Sequence, residues 1–154
     1  MSHLAGRGIL SALLVLLVHV AAWAEPVPVT ITSLDPRFDQ LVPKNAQVEK
    51  IADGFTWVEG PVWHKQGGYL LFSDIPANRV YQWKPGKGTS VYLKNSGYSG
   101  STPFAGKEPG SNGLTFSADG QLYLCRHGDR QIGRLEADGR ITPVTTLSSV
   151  VLPA

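Results

Sequence analysis

A repeat constrains this chain more than any other feature. One segment runs Glu59-Gly60-Pro61-Val62-Trp63, then Gly68 to Asp74, Arg79 to Trp83 and, after Pro85-Gly86, Ser90 to Leu93. A second runs Asn112-Gly113-Leu114-Thr115-Phe116, then Gly120 to Cys125, Gln131 to Leu135 and, after Asp138-Gly139, Ile141 to Val144. Glu59 and Asn112 lie 53 residues apart, and so do Gly86 and Gly139. Each segment holds four short bursts of Val, Leu, Ile and Tyr broken by Gly, Pro, Asn or Asp, the pattern of antiparallel strands with tight turns. Four strands in a period of about 50 residues predict the blades of a β-propeller. The physical reason is burial: one four-stranded sheet cannot cover its own apolar faces, and stacked sheets can. Two unrelated meanders are the plainer alternative, and the matching glycine offsets argue against it.

Composition agrees with an all-β fold. The chain has 17 Gly and 11 Pro in 154 residues, and helix-favouring runs are scarce after the first twenty. A formal net charge of +2 gives no electrostatic case for nucleic acid. The first residues read as a leader. His3 and Arg7 precede an apolar run from Ile9 to Val20, and Ala22-Trp23-Ala24 supplies the small residues of a cleavage site. Residues 1–24 are therefore expected to form a secretory signal helix, cut between Ala24 and Glu25. A membrane anchor is the alternative, but the run is short for a span. The expected location is the periplasm or the exterior, with no membrane contact after cleavage. Cys125 is the single cysteine, so no intrachain disulfide can form, and it reads as a small buried hydrophobe.

Residues 25–58 read as a Pro- and Val-rich tether, a short helical turn at Asp35-Pro36 and a lone strand at Val48–Ile51. Residues 59–154 read as two blades. Propellers use about 4–8 blades, so two would leave a sheet face open. The expectation is an incomplete product, with self-association through the open blade as the other way to cover that face.

Strand parity locates a site. If the first strand of each blade lines a central channel, Glu59 and Asn112 open equivalent strands at one mouth. The turns Asp74–Asn78 and His127–Arg130 then rise beside them, and the connection Asn95–Ser111 arches over the same face as a candidate lid. A carboxylate and an amide facing one axis offer hard oxygens, which suit Ca²⁺, Mg²⁺ or Mn²⁺. No His or Cys motif has structural-zinc spacing. Each residue also has a bland reading: Glu59 as an ion-paired carboxylate, Asn112 as an Asn-Gly turn residue, His127 as part of a polar turn with Gly128 and Asp129. A Cys125–His127 nucleophile lacks a third orienting group. His64, Trp57, Trp63 and Trp83 read as packing residues. Neither a serine-nucleophile elbow nor a phosphate loop is present.

The run Gly54-Phe55-Thr56-Trp57-Val58-Glu59-Gly60-Pro61-Val62-Trp63 resembles the opening of the gluconolactonase, senescence-marker-protein and luciferin-regenerating-enzyme family. Leu71 to Tyr81, Pro109-Gly110-Ser111-Asn112-Gly113-Leu114 and Cys125-Arg126-His127-Gly128-Asp129-Arg130 resemble its bacterial gluconolactonase branch. The resemblance implies a six-bladed β-propeller, of which this chain holds the first two blades. It also implies one divalent cation at the channel mouth, Ca²⁺ ahead of Mg²⁺, Mn²⁺ or Zn²⁺. Glu59 is then the metal ligand, and Asn112 a contact to substrate or metal-bound water; His127 is a candidate substrate contact from its place in the turn on the site face alone. The general-base Asp and further ligands of the family fall later in its sequences, and Leu147–Ala154 does not carry the Asn-Ser-Pro-Asn-Asp segment expected after Thr146. The catalytic base is thus unassigned here. The implied activity is hydrolysis of a sugar lactone. Aryl-lactone or phosphotriester hydrolysis on the same scaffold, a non-catalytic propeller binding a sugar or a protein partner, and an inactive fragment are the rivals.

Overall fold

A computed structural model of the chain describes residues 25–146. The expected signal helix, its cleavage site and Leu147–Ala154 lie outside the described residues.

The described residues form ten strands: β1 (Glu25–Val27), β2 (Val48–Lys50), β3 (Val58–His64), β4 (Tyr69–Asp74), β5 (Arg79–Lys84), β6 (Gly88–Lys94), β7 (Ser111–Phe116), β8 (Leu122–Arg126), β9 (Gln131–Leu135) and β10 (Ile141–Thr146). They form a two-stranded sheet, β1-β2, and two four-stranded antiparallel meanders, β3-β4-β5-β6 and β7-β8-β9-β10. The two repeat units of the sequence are thus the two meanders. The strand at Val48 is not alone, because Val48, Glu49 and Lys50 pair with Val27, Pro26 and Glu25. The start of the expected tether is therefore a strand. The helical turn at Asp35-Pro36 is a 3₁₀ turn over Phe38–Gln40. The Asp35 carboxylate accepts from the Arg37 amide at 2.8 Å, and its carbonyl from the Phe38 amide at 2.9 Å.

Side-chain alternation builds the core. In β4, Tyr69, Leu71 and Ser73 lie on one face and Leu70, Phe72 and Asp74 on the other. Leu71 and Val80 of the first sheet pack with Leu122 and Leu124 of the second, flanked by Val62, Tyr69, Leu93, Leu114, Phe116 and Leu135. Leu71 and Leu124 are wholly buried, and each such leucine contributes about 1.5–3 kcal/mol. His64 joins this packing as expected. It stacks on Tyr69 at 4.6 Å, meets Phe116 edge-on at 4.8 Å, and accepts a hydrogen bond from the Gly67 amide. The opposite face of β4 is covered in part by Phe55, whose ring lies 4.9 Å from those of Phe72 and Tyr81.

Three packing expectations change. Trp57 and Trp63 are half exposed, at 50% and 49%. Cys125 is exposed rather than buried. Leu122, Leu124 and Arg126 take the inward positions of β8, so parity turns Cys125 to the outer face, paired with the exposed Ile132.

Candidate functional site

The first strands of the two sheets, β3 and β7, lie side by side, and each carries a bulge near its start. In β3 the register shifts between Glu59 and Val62, and in β7 between Ser111 and Leu114. Gly60 and Pro61 occupy the first bulge, which suits a residue with positive φ and one without an amide proton. Gly60 has φ +58°, and its backbone touches β7 so closely that a Cβ there would overlap the Asn112 carbonyl oxygen. This close approach lets the two strands present their ends together. A buried pair secures it, Ser73 Oγ to Ser111 Oγ at 2.8 Å.

Glu59 and Asn112 meet across this contact. Asn112 Nδ2 donates to Glu59 Oε2 at 3.4 Å, a long bond between half-buried groups. They are not at equivalent positions, however. Glu59 faces Ser73 in its ladder, and Ser111 faces Arg126 in the second. Since Leu71 and Leu124 match at the ladder centres, opposite Val62 and Leu114, Ser111 is the counterpart of Glu59 and Asn112 that of Gly60. The bulge turns both side chains into one neighbourhood although the repeat does not superimpose them.

Asp74 fixes the approach to β3. It is buried and accepts from the Trp57 amide at 3.1 Å and the Thr56 amide at 3.3 Å. The connection from Asn95 to Gly110 is tied down at its base. Asn78, at φ 53° in the turn after β4, accepts from the amides of Gly97 and Tyr98 at 2.9 and 3.2 Å and donates to the Tyr98 carbonyl at 2.9 Å. The Gly110 amide donates to the Ile75 carbonyl at 2.9 Å.

The second turn holds the connection from the other side. Arg126 is buried and ion-pairs with Asp129 at 2.7 Å, with side chains only 4% and 12% exposed. Its guanidinium also donates to the carbonyls of Ser96 at 3.1 Å and Asn95 at 3.3 Å. Burial lowers the Arg126 pKa, and the Asp129 charge opposes that shift. Asp129 accepts further from the Ser99 amide at 3.0 Å and the Ser99 hydroxyl at 2.8 Å. Sequence reasoning took Asp129 for a turn residue and passed over Arg126 and Asn78. The available signal was Arg126 at an inward position of a strand, where an unpaired charge would be costly.

His127 lies at the same end of the second sheet, one residue beyond the Arg126–Ser111 pair. Its Nδ1 is 3.4 Å from Glu108 Oε2, and its ring lies 6.4 Å from that of Phe104. The structure brings Glu59 to Asn112 and places His127 beside Glu108. No contact of His127 with Glu59 or Asn112 is seen among the described residues.

The donors at the mouth fit a hard cation in kind, a carboxylate and an amide within 3.4 Å of each other. Among the described residues no group of three or more His, Cys, Asp or Glu side chains could hold a metal ion. Two such donors are too few by themselves to complete a coordination sphere. Glu59 also lines a mainly apolar cavity of about 230 Å³ with Ile51, Phe55, Val58, Leu70 and Phe72.

Two four-stranded meanders packed face to face, with their first strands adjacent and the linking loops fixed at one end, have the arrangement of a partial β-propeller. The comparisons give the same class: residues 57–152 match the SMP-30/Gluconolactonase/LRE-like region. The chain belongs to that family. A gluconolactonase of Zymomonas mobilis is 42% identical over 124 residues, covering 79% of this chain and 33% of that protein. The solved gluconolactonase of Xanthomonas campestris, described as important in glucose secondary metabolic pathways, aligns with a TM-score of 0.64 and 27% identity. That alignment covers 83% of this chain and 39% of that one. A second solved protein, assigned as a gluconolactonase, aligns with a TM-score of 0.56 and 31% identity over 71% of this chain and 34% of its own. The chain thus spans about a third of the length of these relatives.

Proposed function

We propose that the chain carries the Glu59–Asn112 part of the active site of an exported, metal-dependent sugar-lactone hydrolase. The observation that carries this reading is the meeting of these two side chains at the contact between first strands, in a family whose similar members are gluconolactonases. Glu59 is the ligand for a divalent cation, Ca²⁺ before Mg²⁺, Mn²⁺ or Zn²⁺. A bound cation supplies Lewis-acid polarisation of the lactone carbonyl and stabilises the oxyanion formed as the ring opens. Asn112 holds the Glu59 carboxylate in place with its amide N–H and keeps its amide oxygen as an acceptor for substrate or water. His127 contacts the substrate from the rim. The loop from Asn95 to Gly110, fastened at its base, limits the approach of water. Export through residues 1–24 would place this chemistry in the periplasm.

Opening of D-glucono-1,5-lactone is the test, followed by base uptake at constant pH with each of the four cations and after treatment with a chelator. The expected result, in a full-length version that carries this part, is turnover above the spontaneous rate only with cation, reduced at least about 100-fold by Glu59→Gln. A rate unchanged by chelator, or a wild-type rate in Glu59→Gln, refutes the assignment.

A further inference from the structure

The fastened loop carries a cluster at its tip that the Glu59–Asn112 site does not use. Gly100 to Pro103 and Ala105 to Lys107 are exposed, yet Phe104 between them folds back and is partly covered. Its ring lies 5.2 Å from that of Tyr98 and meets the His127 ring edge-on at 6.4 Å. The Tyr98 and Thr102 hydroxyls are hydrogen-bonded at 3.0 Å, which stiffens the turn between the two rings. Beside them His127 Nδ1 and Glu108 Oε2 lie 3.4 Å apart, with side chains 42% and 35% exposed. Arg126 pairs with Ser111 in the ladder, so His127 stands level with Gly110, two residues before Asn112. The cluster therefore borders the mouth at which Glu59 and Asn112 meet.

We propose that Phe104, Glu108 and His127 form a rim subsite for an uncharged, hydroxyl-rich ring. This rests on the reading of the mouth as a sugar-lactone site, and it adds where the hydroxylated carbons go and which charge state is held. The aromatic face covers the C–H side of a saturated ring. The Glu108 carboxylate accepts from ring hydroxyls, and the imidazole can donate to or accept from the next one. A purely apolar ring would desolvate Glu108 and His127 and give their polar atoms no partner beyond each other. An anion would meet the Glu108 charge at short range. In ring opening of a lactone, the water oxygen bonds to the acyl carbon and the acyl C–O bond breaks; the former ring oxygen takes one proton of that water and becomes a hydroxyl, and the other proton leaves to solvent as the new acid ionises to a carboxylate. The same subsite thus favours the closed substrate and disfavours the opened product.

The test is titration of the full chain, followed by amide NMR, with 1,5-anhydro-D-glucitol as the neutral ring and D-gluconate as the open anion. Shifts at Phe104, Glu108, Gly110 and His127 with the ring polyol, and weaker binding of gluconate, are expected. Phe104→Ala and Phe104→Leu should each weaken the polyol about tenfold. Glu108→Gln should weaken the polyol and strengthen gluconate, opposite changes that a structural lesion would not produce. Equal binding of both probes by the wild type, or unchanged preferences in Glu108→Gln, overturns the subsite. The two readings fail separately. Lactone opening with wild-type selectivity for gluconolactone over δ-valerolactone in Phe104→Ala removes the subsite and keeps the hydrolase. Polyol binding with the expected variant pattern, but no cation-dependent opening, does the reverse.

Discussion

Replacing Gly60 by alanine should separate the two sheets at the point where the site is assembled. Two costs combine. Gly60 sits at φ +58°, where an L-residue costs about 1–2 kcal/mol. The new Cβ would also overlap the Asn112 carbonyl oxygen and lie 2.8 Å from the Leu114 nitrogen and 3.0 Å from the Gly113 Cα. All three are backbone atoms of β7 and cannot swing aside, so the strand must move. Overpacking of this kind costs about 1–3 kcal/mol, giving roughly 2–5 kcal/mol in all. Gly68→Ala is the control. Its φ is +61° and nothing lies within 4 Å of its Cβ position, so it bears the conformational cost alone. The stabilisation that alanine brings by restricting the unfolded chain is common to both variants and cancels. Urea unfolding followed by tryptophan fluorescence should place Gly60→Ala about 1–3 kcal/mol below Gly68→Ala at equal m-values. Equal stabilities would refute the close contact, and with it the account of how Glu59 reaches Asn112.

Other outcomes follow from the loop anchors and from one tyrosine. Asp129→Ala strands the buried Arg126 charge and should cost about 3–5 kcal/mol, with part of that recovered in the double variant Arg126→Met/Asp129→Ala; strict additivity in a double-mutant cycle would show the pair uncoupled. Asn78→Gly keeps the backbone conformation and removes the side-chain bonds to Gly97 and Tyr98. It should cost about 1–3 kcal/mol and speed hydrogen exchange at those amides but not in β8, and unchanged exchange at Gly97 would contradict it. Burial first, and then Tyr92, raise the Tyr69 pKa to about 12. The folded chain then keeps a proton that the unfolded chain releases near pH 10, so this contribution is whole below about pH 10 and fades as pH rises through about 12. Wild type should lose more stability over that range than Tyr69→Phe, and parallel losses would rule out the shift.

Much of the architecture could be read from residue spacing, because alternation and glycine turns act locally. The two meanders follow from the repeat, and the placing of the turns Asp74–Asn78 and His127–Arg130 at one end of the sheets follows from strand parity. What spacing could not supply is information about partners. Cys125 looked like a core residue by type, but inward positions go to Leu122, Leu124 and Arg126, and type does not override parity. The strand at Val48 finds its partner in Glu25–Val27, across a segment with no repeat to guide pairing. Asp129 reads in the sequence as turn chemistry and Arg126 draws no notice, since a buried ion pair shows in sequence as two charges among many. The Glu59–Asn112 pair was legible as a shared mouth but not as a direct hydrogen bond, which depends on bulges that a repeat count averages away.

The bulges have a consequence for engineering. Had the second unit remained a faithful copy of the first, the ladder would set a glutamate at position 111 and a glycine at position 112. Two carboxylates would then stand at matched stations, with no amide to bridge them. With the acid at the first station of one bulge and the amide at the second station of the other, the two sheets offer different groups to the same spot. Grafting that treats the modules as interchangeable tiles would erase this division of labour, even if every strand still paired.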